Sequence, residues 1–266
     1  MAEREVVLVD AHCHLQELEG RGMSAPAAVA AALGAGVRQL VTSGDGPRDN
    51  RRAAELAEQL PQVYFTVGWH PINPAPPSSA QRSELLRLLQ HPRAVALGEV
   101  GLDFHLRPGH LETPPKLQEE IFASMLELAA TVAKPVVIHQ RQATREMLRI
   151  LDRGPSVPVM LHCFDGGEEL AQAARARGLL CSFAGNLTFR SARDLQEAAR
   201  ALPPELLAVE TDAPFLAPEP HRGQLCQPAM VRATAQWLAV LRGDCLESLA
   251  EVTTANVRRF FGLPAD

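Results

Sequence analysis

The chain has 266 residues, and its 26 basic and 31 acidic residues give a formal net charge of −5. Hydrophobic residues make up 46% and charged residues 21% of the chain, a composition that excludes a disordered protein and indicates a folded globular one. The negative charge excludes a protein that holds nucleic acid by bulk positive charge alone. It does not exclude one that uses a local basic patch or bound metal ions.

Short apolar runs alternate with amphipathic segments along the whole sequence, and the runs predict eight β-strands. The strands are expected to begin at Val6, Val37, Val63, Ala94, Pro135, Val157, Leu179 and Leu206. Successive starts are 22 to 41 residues apart, and eight βα units of this length predict an α/β fold, a (β/α)8 TIM-type barrel. With no linker in view, we expect one domain over residues 1–266.

The segments between the strands carry apolar residues at i, i+3 and i+4 spacing, which predicts helices. These helices are Ala25–Ala35, Arg48–Leu60, Ser83–Gln90, Leu117–Ala133, Thr144–Leu151, Glu168–Arg177 and Ala192–Leu202, and two more, Met230–Leu241 and Cys245–Phe261, close the chain.

Polar side chains follow the predicted strands at their carboxyl ends. The first strand ends in His12 and His14, which are two residues apart and so point to the same face. The other candidates are His70 after the third strand, Glu99 and Asp103 after the fourth, His139 and Arg141 after the fifth, His162 after the sixth, and Glu210 and Asp212 after the eighth. Because barrel enzymes carry their active sites at this end of the strands, we expect these side chains to surround one pocket.

The chemistry of this set indicates a metal site. Imidazole nitrogens and carboxylate oxygens without a thiolate suit one or two divalent ions, which we take to be Mg²⁺, Mn²⁺ or Zn²⁺. Glu99 is placed to bridge two such ions. A single histidine after a strand is more often held by ordinary hydrogen bonds, so the prediction depends on the convergence of the whole set.

Seven segments resemble, in order and over nearly the whole length, the TatD family of metal-dependent deoxyribonucleases. They are Asp-Ala-His-Cys-His-Leu (10–15), Gly-Trp-His-Pro (68–71), Gly-Glu-Val-Gly-Leu-Asp-Phe (98–104), Pro-Val-Val-Ile-His-Gln-Arg (135–141), His-Cys-Phe-Asp-Gly (162–166), Glu-Thr-Asp-Ala-Pro-Phe-Leu (210–216) and Thr-Thr-Ala-Asn-Val-Arg-Arg-Phe-Phe (253–261). The resemblance implies a TIM-type barrel, a divalent metal site and hydrolysis of phosphodiesters, typically in DNA.

The resemblance also implies a ligand set. The implied metal ligands are His12, His14, Glu99, His139, His162 and Asp212, with Glu99 bridging where two ions bind. One departure is visible after the last strand, where the family usually has Asn-Glu-Pro following Arg-Gly. Here Cys226 and Gln227 replace the Asn and Glu. We expect this loop on the substrate side, so the departure bears on the substrate rather than on the metals.

The expected reaction is metal-assisted hydrolysis of a phosphodiester in DNA by a 3'-5' exonuclease acting on short single-stranded ends. Asp212 and Glu99 are the expected catalytic carboxylates, and Asp212 would orient the attacking water or accept its proton. His70 and Arg141 are candidates to hold a phosphate, although Arg141 is equally compatible with a structural ion pair. Phe104 and Phe215 are candidates to stack on bases, with core packing as the alternative for each.

Three other functions are compatible with parts of this pattern. The first is an amidohydrolase acting on a small cyclic amide, but related families often bridge their metals with a carboxylated lysine after strand four, where this chain has Glu99. Its only lysines, Lys116 and Lys134, lie elsewhere. The second is an esterase acting on an aminoacyl ester of nucleic acid. The third is a non-catalytic metal-binding protein, which the two candidate catalytic carboxylates disfavour.

The cysteine count and the chain start bear on location. Five cysteines without a C-x-x-C pair argue against a disulfide framework and a zinc ribbon. The charged residues 1–5 are unlike a signal peptide, and no long window is both uncharged and predominantly apolar. We therefore expect a cytoplasmic protein without a membrane span or an obligate protein partner.

Overall fold

Eight parallel strands form one sheet that curves into a nearly closed barrel. This computed structural model describes residues 6–105 and 113–265. In the sheet the strands lie side by side in chain order. They are β1 (Leu8–Cys13), β2 (Val37–Thr42), β3 (Val63–Val67), β4 (Ala94–Asp103), β5 (Val136–Arg141), β6 (Val159–Leu161), β7 (Leu180–Phe183) and β8 (Leu207–Val209). The predicted TIM-type barrel is confirmed, and each strand starts within two residues of its expected position.

Helices follow most strands and cover the outside of the barrel. They are α1 (Leu15–Gly20), α2 (Ala25–Gly34), α3 (Pro47–Gln59), α4 (Ser79–Leu89), α5 (Pro115–Thr131), α6 (Thr144–Arg153), α7 (Glu168–Arg177), α8 (Arg193–Ala201), α9 (Val231–Arg242) and α10 (Leu246–Phe261). The nine predicted helices correspond to α2–α10, with ends that differ by four residues at most. Residues 1–5, to which the expectation about a signal peptide refers, lie outside the described part of the chain.

Two local features differ from the sequence prediction. Helix α1 follows β1 directly and is only six residues long, too short for apolar periodicity to reveal it. Helix α4 begins four residues earlier than predicted because Ser78 and Gln81 form a capping box, in which each side chain accepts a hydrogen bond from the other residue's backbone nitrogen.

The barrel interior is filled by a cluster to which every strand contributes. Val137 of β5 and Met160 of β6 belong to it, and Phe261 and Leu263 join it from α10 and the segment that follows. Since side chains alternate along a strand, residues 139 and 162 face inward as well, at the carboxyl end. In the described part of the chain, no helix is long and apolar enough to cross a membrane.

Candidate metal centre

The carboxyl end of the barrel brings together all six residues expected as metal ligands. Three of them, His12, His14 and Asp212, form what we call the strand-1 half of the centre. The Nε2 atoms of the two histidines are 3.1 Å apart, and Asp212 Oδ1 lies 3.8 Å from the first and 3.4 Å from the second. Glu99 Oε2 lies 3.4 and 3.7 Å from the same two nitrogens.

Backbone hydrogen bonds fix this half where the barrel closes. The backbone nitrogen of Asp212 donates to the carbonyl of His12 (3.0 Å), and that of His14 donates to the carbonyl of Ala213 (2.7 Å). Asp212 has a φ of 53°, a left-handed conformation that aspartate tolerates better than most residues. The main chain therefore sets the positions of both histidines and the carboxylate.

His139 and His162 form the strand-5 half, on the other side of Glu99. His139 Nδ1 and His162 Nε2 each lie 2.7 Å from Glu99 Oε1, and the two nitrogens are 3.3 Å apart. Glu99 thus turns one oxygen to each half, which is the arrangement of a bridging carboxylate.

Glycines allow β4 to bring Glu99 to the centre. A Cβ at Gly68, at the end of β3, would collide with the backbone nitrogen of Glu99. Gly101, at φ 143°, lies against the carbonyl of His139, and a Cβ there would collide with it. The glycines of the Gly-Trp-His and Gly-Glu-Val-Gly segments therefore permit the close approach of β3, β4 and β5.

The converging atoms fit divalent ions. With bonds of about 2.0–2.1 Å to one ion, tetrahedral ligand atoms lie roughly 3.3–3.4 Å apart. The separations within the strand-1 half and to Glu99 run from 3.1 to 3.8 Å. Within residues 6–105 and 113–265, three overlapping groups have ligand atoms within 4.8 Å of one another: His12, His162 and Asp212; His12, His14 and Glu99; and His70, Glu99 and His139. Buried nitrogen and oxygen atoms gathered in this way suit metal binding.

Three further carboxylates lie close to histidine ring nitrogens that face away from the middle of the centre. Asp45 Oδ2 lies 3.4 Å from His14 Nδ1, and Asp103 Oδ2 lies 3.2 Å from His139 Nε2.

Glu210 is the third of these carboxylates and lies next to His162. Its Oε1 lies 3.4 Å from His162 Nδ1 and accepts a hydrogen bond from the backbone nitrogen of Cys163 (2.7 Å). From the sequence, Asp103 and Glu210 were expected at strand ends but had no assigned role, and Asp45 was not identified. Its only sequence signal is its place three residues after β2. Carboxylates in these positions orient metal-binding imidazoles.

Charge pairing dominates the ionisation of the centre. Burial alone would lower the pKa of His14, but Asp45 and Asp212 outweigh burial and raise that pKa to about 10. For His162, burial is likewise outweighed by Glu99 and Glu210, and the pKa is raised well above its usual value. Burial opposes ionisation of Glu99, yet the charge of His162 holds its pKa well below the usual range. The charges of His14 and His162 are therefore paired with those of the carboxylates around them.

The expected substrate contacts lie around this centre. His70 Nε2 is 3.5 Å from Glu99 Oε1. Arg141 is the last residue of β5 and half-buried, and no carboxylate in the described part of the chain forms an ion pair with it. Phe215 is 39% exposed, with its ring 6.2 Å from the ring of His14. Phe104 packs against the hydrophobic core, which was the alternative to base stacking for this residue.

Cys226, one of the two residues of the departure after the last strand, packs against the segment that carries Asp212. Cys226 is fully buried, with its Sγ 3.8 Å from the carbonyl oxygen of Thr211 and its backbone nitrogen 3.3 Å from that of Pro214. Its side chain packs beneath the loop rather than facing a substrate. The cysteine therefore bears on loop packing, because a small apolar side chain fits this enclosed position.

Comparisons with known proteins agree with this geometry. Residues 9–262 match the family model described as TatD related DNase. An uncharacterised metal-dependent hydrolase, TatD of Mycobacterium tuberculosis, is 41% identical over 261 residues, which cover 96% of this chain and 98% of that protein. The 3'-5' ssDNA/RNA exonuclease TatD of Shigella flexneri is 34% identical, over 88% of this chain and 92% of that protein. The crystal structure of YJJV, a TatD homologue from Escherichia coli, superposes with a TM-score of 0.87 at 24% identity, covering 98% of this chain and all of that one.

Proposed function

The chain belongs to the TatD family of metal-dependent hydrolases, and from this premise we propose that it hydrolyses phosphodiester bonds as a 3'-5' exonuclease on short single-stranded DNA ends. The observation that carries the proposal is Glu99, which turns one carboxylate oxygen to each half of the centre. A related protein named as a 3'-5' ssDNA/RNA exonuclease supports the direction and the strandedness.

The six ligand residues of the proposal are His12, His14, Glu99, His139, His162 and Asp212. These residues would hold one or two divalent ions, which would supply positive charge beside a phosphate and lower the pKa of bound water to about 7. The role of the six side chains is to fix the positions of these charges before the substrate arrives, which is the main electrostatic contribution a protein makes to such a reaction.

Asp212 is the proposed base. Burial opposes its ionisation, but His14 outweighs burial and lowers the pKa of Asp212, so its carboxylate is ionised at neutral pH. It lies beside both histidines of the strand-1 half. From there it would orient the attacking water and accept its proton, as general bases do.

Arg141 and Phe215 are the proposed substrate contacts beyond the centre, together with His70. Arg141 has a planar guanidinium that suits two phosphate oxygens. Phe215 is exposed beside His14, where a terminal base would stack. A net charge of −5 accords with a short single-stranded end rather than a long duplex.

A cleavage assay tests the proposal. Purified protein is loaded with Mg²⁺, Mn²⁺ or Zn²⁺ and given 5'-labelled single-stranded DNA, duplex DNA, RNA, a cyclic amide and an aminoacyl ester. We expect a ladder of products shortened one nucleotide at a time from the 3' end of single-stranded DNA. Asp212→Asn is the matched control for a contaminating nuclease. Hydrolysis of the amide or the aminoacyl ester, without phosphodiester cleavage under any metal, would replace this function with the corresponding alternative.

A further inference from the structure

His70 lies at the edge of the strand-5 half. Its Nε2 is 3.5 Å from Glu99 Oε1, and its ring packs edge-on against the ring of His139, with centroids 4.5 Å apart. Together with Glu99 and His139, it forms a group whose ligand atoms lie within 4.8 Å of one another. By proximity alone, His70 would count as another metal ligand.

A hydrogen bond to the other ring nitrogen argues against that role. The backbone nitrogen of Ile72 lies 3.0 Å from His70 Nδ1. A backbone N–H only donates, so Nδ1 accepts through its lone pair and carries no proton. An imidazolium has protons on both nitrogens, so the ring of His70 is neutral and its single proton is on Nε2. The atom that faces the centre is therefore an N–H group without a free lone pair.

The loop holds this arrangement in place. Asn73 donates from its backbone nitrogen to the carbonyl of His70 (3.0 Å), and from its side chain to the carbonyls of His70 (2.8 Å) and Asp45 (2.6 Å). Pro71 fixes its own φ between the histidine and Ile72.

The histidines of the strand-5 half have the opposite arrangement. The far nitrogens of His139 and His162 face the carboxylates of Asp103 and Glu210, which only accept when ionised. In a neutral ring, a carboxylate at the far nitrogen favours the proton there, which leaves the lone pair of the near nitrogen for a metal. A carboxylate at the far nitrogen thus leaves the near nitrogen able to bind a metal. At His70 the far nitrogen faces a backbone N–H instead, so the near nitrogen is a hydrogen-bond donor.

We propose that His70 is not a metal ligand but a neutral hydrogen-bond donor, whose Nε2–H binds a non-bridging phosphate oxygen of the substrate. The inference rests on the proposed function for the identity of the substrate, but the tautomer follows from the hydrogen bond alone. A fixed donor aimed at an oxygen that gains charge during displacement stabilises the transition state.

Two measurements test the tautomer and the ligand set without relying on activity. Two-bond ¹⁵N–¹H correlation spectra of ¹⁵N-histidine-labelled, zinc-loaded protein should show His70 protonated on Nε2. His91, which lies outside the centre, is an internal reference for the tautomer. It also precedes a proline, and its Nδ1 accepts a hydrogen bond from the backbone nitrogen of Arg93 (3.1 Å). Zinc titration of His70→Ala should give the wild-type stoichiometry. A zinc-bound Nε2, or the loss of zinc from the variant, would overturn the proposal.

Inorganic phosphate tests the donor role separately from DNA cleavage. We expect zinc-loaded His70→Ala to bind phosphate roughly 10- to 100-fold more weakly than the wild type, as for a lost hydrogen bond to a charged group. His70→Gln, which keeps an amide donor near the position of Nε2, should recover part of that loss, and His91→Ala should match the wild type. Equal phosphate binding by His70→Ala and wild type refutes the donor role. If phosphate binding changes as expected but no oligonucleotide is cleaved, the nuclease function fails and the donor stands.

Discussion

The two halves of the metal centre are built by different parts of the structure. In the strand-1 half, His12 and His14 come from one strand, and two backbone hydrogen bonds tie that strand to the segment carrying Asp212. In the strand-5 half, His139 and His162 come from two strands, and a carboxylate stands behind each ring. Backbone hydrogen bonds across the barrel seam position the first half, where a carboxylate, Asp45, lies against only one of the two rings, whereas both rings of the second half have a carboxylate against them.

The halves also differ in exposure. The side chain of His12 is fully buried, whereas that of His139 is 18% exposed. Arg141, at the end of β5, and His70 lie on the same side as His139. Each half also has a buried and a more exposed member, since Asp212 is 13% and His162 only 4% exposed; the halves differ in the side chains that surround them. Changes to side chains behind the rings should therefore separate the two halves.

Glu99→Gln should have the largest effect, because the two carboxylate oxygens of Glu99 face the two halves. A neutral amide cannot balance two dications, so we expect metal content and turnover to fall together. Turnover should drop by more than the roughly 10²–10³-fold that the loss of one electrostatic donor costs. Metal analysis of the purified variant, beside single-turnover cleavage, measures both. Full occupancy with full activity would remove Glu99 from the centre.

Asp212→Asn should act on the strand-1 half alone. The amide keeps an oxygen ligand but loses the charge and the basicity, so we expect kcat to fall by about 10²–10⁴-fold. Metal should be retained at least in part, and KM should change little. Arg141→Ala should do the opposite, weakening substrate binding more than turnover. Wild-type turnover by Asp212→Asn would show that the base lies elsewhere.

Asp103→Asn and Glu210→Gln should weaken the strand-5 half only. Each removes the acceptor behind one imidazole, and such changes typically cost about 10–100-fold in metal affinity. Competition titrations with a chelator should show one weakened site and one unchanged. Asp152→Asn, at an ion pair with Arg177 on the outer surface, is the control. Equal weakening of both sites would mean that the halves do not bind independently.

The smallest expected effect is a pH dependence that has opposite signs with and without metal. In metal-free protein the pKa of His14 is raised to about 10, from the ordinary value of about 6.5. Protonation of His14 therefore stabilises the metal-free fold fully below pH 6.5, and this contribution is lost as the pH rises towards 10. Metal binding needs the unprotonated ring, so its stabilisation grows over the same range.

Thermal unfolding with and without zinc at several pH values checks this dependence. The difference between the two melting temperatures should widen steadily from pH 6.5 to 9. A constant difference would show that His14 holds no proton in the metal-free protein. His91→Ala, outside the centre, should leave the trend unchanged.

The barrel and the convergence of the centre could be predicted from the sequence because both follow from local rules. Apolar runs at regular intervals define the strands, and alternation along β1 puts His12 and His14 on one face. The TatD resemblance is confirmed by the family match over residues 9–262, whereas the role of each ligand residue stays a prediction.

What the sequence could not show depends on contacts between distant segments. Asp45 is 31 positions from His14 in the chain, and only the folded barrel puts them 3.4 Å apart. The burial of Cys226 depends on how its loop folds back towards Thr211. The position of the proton on His70 depends on a backbone hydrogen bond from Ile72. A backbone hydrogen bond cannot be predicted from the residue types at these positions. Short-range patterns therefore predict positions, and tertiary contacts decide protonation and orientation.

The seam of the barrel has a consequence for folding. Residues 12 and 212, joined by a backbone hydrogen bond, are 200 positions apart in the chain, so their meeting closes a loop that includes most of the protein. The entropy lost in closing a loop grows only with the logarithm of its length, and a metal clip across a long loop removes that freedom from the unfolded chain. An ion held by His12 and Asp212 would thus act as a cross-link between the first strand and the last. Loading the centre and completing the barrel would then be a single late event in folding.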